Sequence, residues 1–420
     1  MPGRRPWVLG GVLTALVVVV ALVTYLLVRS DPYTAPAPTG SVPRPDPSGA
    51  ARVLGRLEAA IHDSVEGGVS DGVADLAPSD DPQAGALLSA VLTNATELQV
   101  VDFTARYVDD VGAVDAAGRW QAAVDLTWRF DGFDHEPVHE EVLVGFESSG
   151  AGVGITSFGG GDRRSPLWLS GPVQVRRSAE TLVLATTAAE ADLVAGRAEA
   201  AVPVVRDVLP QWAGRLVVEV PASEPALDAQ LAAEPGSYAS IAAVTASVDG
   251  TLTPRSPVHV FVNPDVYDAL DPVGGQVVMS HEATHAATGA PLTTGVPLWL
   301  LEGFADYVAL HDVALPITTT AGQIIEQVRQ DGAPDHLPGQ PEFDQSDSHL
   351  GAAYESAWVA CLVLADLGGR AALVRLYEQV SRGGALDEQL ARLFGLTEAQ
   401  LTARWRQRLQ SLAARANAGA

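Results

Sequence analysis

The sequence predicts an α+β fold, and three features of its patterning carry that prediction. Two stretches of helical periodicity, 51–65 and 83–94, precede runs of alternating apolar and polar residues at 98–108, 120–130 and 138–147, with a fourth, shorter run at 152–158. Period-two alternation bounded by Gly and Asp turns is the mark of antiparallel strands. After about residue 178, short apolar runs of strand length intermix with helices, and from Asp271 onward the pattern is helical throughout. Strands gathered in some regions and helices in others define the α+β class.

The N-terminal elements follow in order. Residues 7–28 carry no charge and consist mostly of Val, Leu and Ala. At about 1.5 Å per residue they match a hydrocarbon core of about 30 Å, so a transmembrane helix is expected. A cleaved signal peptide is the alternative, but its apolar core runs to roughly 7–15 residues before a small-residue cleavage site. The one A-x-A sequence, Ala35 to Ala37, is followed by Pro38. Arg4 and Arg5 precede the span, which assigns residues 1–6 to the cytoplasm and the rest of the chain to the outside. Proline at 32, 36, 38, 43, 45 and 47 makes 29–50 an extended linker.

Residues 51–164 are expected to form a small α+β accessory domain whose element order is similar to cone-like, cystatin-like or nuclear-transport-factor-like modules. Within it, His135 and His139 flank Pro137 and are read as exposed histidines rather than a metal pair. The GGGDRR segment at 159–164 reads as a hinge, and residues 175–415 as a second domain. There, strands at 180–185, 215–220, 240–248 and 258–263 with helices at 188–208 and 226–234 give a small mixed sheet, followed by a helical C-terminal half. Asp271 is the N-cap of the next helix, Pro272 its first residue and Gly289 its stop.

Composition narrows the function. A 47% hydrophobic content supplies ordinary cores, while a net charge of -25 and the lack of a basic stripe exclude nucleic acid as a partner. Cys361 is the sole cysteine, so no disulfide framework exists, and its apolar surroundings suggest a buried core position.

The chemistry lies in VVMSHEATHAATG. His281 and His285, four residues apart, leave the same helix face and can bind one zinc ion at about 2.0–2.1 Å. Glu282 beside them is placed to take a proton from an activated water, the task of a general base in metal-assisted hydrolysis of a peptide bond. The segment PLWLLEGFADY brings Glu302, 17 residues after His285, with Asp306 one turn later. Glu302 would complete a set of three protein ligands with a fourth corner open, and Asp306 would receive the distal N–H of a ligand imidazole. The alternative is that both carboxylates form a solvated helix face. His311, beyond that helix, would replace Glu302 only under a different register.

HEATH followed by LLEGFADY resembles the gluzincin, or thermolysin-like, clan of zinc metallopeptidases, over about residues 178–415. The resemblance implies Zn2+ held by His281, His285 and Glu302, Glu282 as general base, Asp306 behind the ligands, and a peptide or protein substrate. It also implies that 240–248 is an edge strand that pairs with extended substrate, and that Tyr354 donates to the tetrahedral oxyanion, with His349 as a rival donor. No G-x-M-E-N-like motif is present to indicate an aminopeptidase. Two other functions stay open, a catalytically inactive zinc-containing module that binds peptides or proteins, and a metallohydrolase of a cell-envelope amide.

Overall fold

The computed structural model describes residues 44–67, 76–150, 152–343 and 350–418. The anchor expected at 7–28, most of the linker and His349 lie outside the described residues. Among the described residues no helix is long and apolar enough to cross a membrane.

Helix α1 (Pro47–Val65) begins before the expected 51 because Asp46 accepts a hydrogen bond from Gly49 N at 2.8 Å and Pro47 needs no partner in the first turn. Gly49 and Ala50 are already buried, so the last residues assigned to the linker belong to the folded body. Helix α2 (Pro82–Leu98) starts the same way on Asp81. Strands β1 (Val100–Val111), β2 (Arg119–Phe130), β3 (Val138–Ser149) and β4 (Gly152–Phe158) pair in chain order as an antiparallel meander. Leu54, Leu57, Leu88 and Val91 of the helices share a core with Val124, Leu126 and Phe146 of the strands.

The second sheet is mixed, as the patterning indicates. It contains β5 (Gln174–Arg177), β6 (Thr181–Ala185), β7 (Leu216–Val220), β8 (Ala243–Ser247) and β9 (Val258–Val262) in the order β5-β6-β7-β9-β8, with α3 (Ala188–Val208) and α4 (Glu224–Leu231) in the connections. β6, β7 and β9 run parallel, while β5 and β8 are antiparallel edges. The parallel strands are largely apolar on both faces because both faces are covered, with Glu219 on β7 and His259 on β9 as exceptions. Val183, Val218 and Val260 pack toward α3 and the C-terminal helices; Leu182, Leu184, Val217 and Phe261 join the core of the N-terminal meander.

That continuity changes the reading of GGGDRR. Gly159 N donates to Leu143 O at 2.7 Å, Ser165 N to Ala229 O at 3.0 Å, and Arg163 pairs with Glu141 at 2.7 Å. Gly159, Gly160 and Gly161 hold φ of 85, 97 and 67°, a left-handed path open to glycine. The glycines serve a pinned turn across a continuous core, not a swivel.

From Pro264 onward every described element is helical. Asp271 accepts hydrogen bonds from Val273 N and Gly274 N to start α5 (Pro272–Thr288), and Gly289, at φ 62°, ends it. Helix α6 (Leu298–Ala309) crosses α5 and lies against α8 (Leu350–Gly368), with α7 (Gly322–Asp331), α9 (Arg370–Ser381), α10 (Leu386–Phe394) and α11 (Glu398–Ala418) around them. A Cβ at Gly303 would collide with the Ala357 carbonyl, so glycine there is what lets α6 and α8 approach. Cys361 is buried at that crossing as a free thiol.

Candidate metal centre

Helix periodicity brings His281 and His285 together on α5 with their Nε2 atoms 2.9 Å apart. Glu302 on α6 faces them rather than solvent, its Oε2 lying 3.2 Å from each Nε2. Among the described residues, His281, His285 and Glu302 are the group that could hold a metal ion. Ligand atoms at about 2.0–2.1 Å from a tetrahedral ion stand about 3.3 Å from one another. The observed triangle of 2.9, 3.2 and 3.2 Å is close to that spacing.

The hydrogen bonds behind the triangle also suit a cation. Asp306 Oδ1 lies 2.8 Å from His281 Nδ1. A carboxylate only accepts, so Nδ1 carries the proton and the Nε2 lone pair turns toward the shared corner. Three donor atoms at such distances are held together by positive charge among them, either a ring proton or a metal cation. The electrostatics agree. Burial disfavours the charged ring of His281, but Asp306 and Glu302 outweigh it and raise its pKa well above the ordinary value. Burial would raise Glu302, yet the histidines hold it far below the usual carboxylate range.

Glu282 is 8% exposed at the same level of α5, and burial raises its carboxyl above the ordinary value despite the neighbouring imidazoles. Thr245 Oγ1, on edge strand β8, donates at 2.6 Å to Glu282 Oε2 and lies 3.0 Å from its backbone carbonyl. Sequence patterning places Thr245 within a strand but gives no hint of this partner.

His281 and Glu282 open onto a cavity of about 240 Å³, lined also by Ile241, Ala242, Val278 and Tyr354. A larger groove of about 790 Å³ lies along Trp299, Leu337 and Arg406, but it holds none of the metal-ligating atoms. Tyr354 stands edge-on to His281, ring centroids 5.9 Å apart. Burial, with Glu302, Glu282 and Asp306 nearby, raises its phenol, so the hydroxyl remains a donor.

The other histidines singled out by the sequence are elsewhere. His135 and His139 are exposed on the meander, and His311 pairs with Asp207 at 3.1 Å and with Val308 O at 2.7 Å. A further cluster went unread. His259, fully buried in β9, places Nδ1 2.7 Å from Glu219 on β7 and Nε2 3.0 Å from Asp134 after β2, tying the second sheet to the meander. Gln230 adds a hydrogen bond to Glu219 at 2.6 Å. The available signal was a charged residue interrupting each of two apolar strand runs, LVVEV and VHVFV.

Comparison with protein-family models gives no match, and comparison with curated protein sequences gives none either.

Proposed function

We propose that this chain is a zinc-dependent peptidase of the gluzincin type, held at the outer face of a membrane by residues 7–28. The observation that carries the reading is the triangle of His281 Nε2, His285 Nε2 and Glu302 Oε2, backed by Asp306 and flanked by Glu282. Nitrogen and oxygen donors in this number suit zinc and leave a fourth corner open, as a catalytic rather than a structural site requires. When bound, the ion supplies Lewis acidity for the scissile carbonyl and for the attacking water.

The chain's own groups do the rest. Glu282 takes the proton as the water oxygen bonds to the carbonyl carbon, then returns it to the departing amine as the C–N bond breaks. The Tyr354 hydroxyl donates to the oxygen that gains negative charge. Edge strand β8 offers main-chain N–H and C=O groups to an extended peptide, the β-augmentation mode, and the apolar wall of Ile241, Ala242 and Val278 receives a side chain. The cone-like or cystatin-like character of the meander half is part of the same proposal and has no catalytic duty in it.

The test uses the full chain in detergent, with metal content by elemental analysis and hydrolysis of casein with and without a chelator. Wild type is expected to carry one zinc and to cleave casein in a chelator-sensitive way. Glu282→Gln keeps the zinc and loses about 10²–10⁴-fold in turnover, the range for a general base. Full activity in Glu282→Gln would refute the mechanism, and a zinc-loaded wild type that cleaves no peptide would leave a binding module or an envelope amidase.

A further inference from the structure

We infer that Thr245 is a positioning residue for the general base, an inference that rests on the peptidase reading above. Glu282 hangs from α5 by a flexible side chain, and a carboxylate free to rotate would spend part of its time turned away from the water it must deprotonate. Thr245 reaches it from a different element. Its hydroxyl lies 2.6 Å from Glu282 Oε2 and 3.0 Å from Glu282 O, within reach of the side chain and the main chain of the same residue.

The single hydroxyl proton goes to the nearer acceptor, Oε2, so the hydrogen bond limits rotation of the carboxylate relative to strand β8. Tying Oε2 leaves Oε1 as the oxygen for the water. Thr245 is 9% exposed on the alternating face of β8 that also buries Ala243 and Ser247. Threonine is branched at Cβ and therefore stiff at χ1, which suits a strut better than a flexible donor. β8 is also the edge strand, so the element that would bind the peptide backbone holds the base as well.

The variants are Thr245→Val, which keeps the branched shape and removes the hydroxyl, and Thr245→Ser, which keeps the hydroxyl. For Val the expected result is a fall in kcat of about 10–100-fold, as for other groups that orient a site from behind, with KM within about twofold and zinc content unchanged. Ser is expected to stay within about threefold of wild type. Undiminished kcat in the Val variant overturns the inference, and so does an equal loss in both, which would trace the effect to packing. Thr245→Ala replaces Val if the latter cannot be purified folded. Crystal structures of zinc-loaded wild type and Thr245→Val give a readout independent of turnover. One Glu282 rotamer in wild type and a rotated or spread carboxylate in the variant support the role; the same rotamer in both sinks it. Should zinc-loaded wild type hydrolyse nothing, the peptidase reading falls, and the crystals alone decide what Thr245 does.

Discussion

Two buried histidines in this molecule each face two carboxylates, and they are set up for opposite ends. His259 meets Glu219 through Nδ1 at 2.7 Å and Asp134 through Nε2 at 3.0 Å, with Phe130 stacked on its ring at 5.6 Å. Both nitrogens are used and the ring is fully buried, so nothing further can bind there. His281 also spends Nδ1 on a carboxylate, Asp306 at 2.8 Å, but its Nε2 shares a corner with Glu302 and a second imidazole beside an open cavity. The first arrangement is a charged strut between two sheets, and the second is a set of three donor atoms that could hold a cation. What separates them is not the count of acidic neighbours but whether one nitrogen is left facing other donors.

Removing one corner tests the second arrangement most severely. Structural four-ligand zinc sites bind with apparent energies of about 10–16 kcal/mol, so one ligand accounts for about 2.5–4 kcal/mol, or roughly 10²–10³-fold. Glu302→Ala is therefore expected to lose zinc on dialysis against a weak chelator that leaves wild type loaded, while its circular dichroism is unchanged. Zinc retained at full stoichiometry by Glu302→Ala would break the contrast by moving the third ligand elsewhere.

The strut should answer in the opposite way. Taking one partner from a buried ion pair costs about 3–5 kcal/mol because the remaining charges stay in the interior unpaired. In denaturant unfolding at pH 7, His259→Leu is expected to lose that much stability and to keep its zinc. A variant as stable as wild type would show that the triad carries no net energy, and one that loses zinc would show that the two clusters are coupled.

The strut should also impose a pH dependence. Burial favours the neutral ring, but Asp134 and Glu219 outweigh it and push the His259 imidazole up to about 9. A histidine in the unfolded chain titrates near 6.5, so the contribution is complete below that pH and disappears as pH rises through about 9, a loss of about 3 kcal/mol. Glu140, raised to about 8 by burial, works in the same direction, since its folded carboxyl stays protonated where that of the unfolded chain ionises. Unfolding free energies measured from pH 6 to 9.5 should fall in wild type and fall less in Asp134→Asn. Parallel curves for the two proteins would remove Asp134 from the account.

The difference between the clusters also explains what could be read from the sequence. Helical spacing is local, so a separation of four positions from His281 to His285 and from Glu302 to Asp306 already fixes which side chains share a face. Caps are local too, and Asp271, Pro272 and Gly289 bound α5 where the pattern places them. The strut is assembled from β2's exit turn, β7 and β9, which are distant in the chain and meet only through sheet order, and a single sequence does not display that order. Thr245 was hidden for the same reason, since its partner lies 37 residues away on another element. GGGDRR misled because glycine density marks left-handed turns as well as flexible joints, and here hydrogen bonds across a shared core decide for the turn.

The smallest effect is the most discriminating. Asp306→Asn keeps the shape and an acceptor oxygen for His281 Nδ1–H but removes the charge, so the imidazole stays oriented while losing basicity. Carboxylates behind ligand histidines are worth about 10–100-fold in metal affinity. Competition against a zinc indicator should therefore show weaker binding by that factor in Asp306→Asn, with zinc still stoichiometric when the metal is in excess. If affinity is unchanged, Asp306 serves His281 as Glu219 serves His259, as a hydrogen-bond acceptor that holds a ring in place. The distinction between the two clusters would then rest on the second imidazole and Glu302 alone.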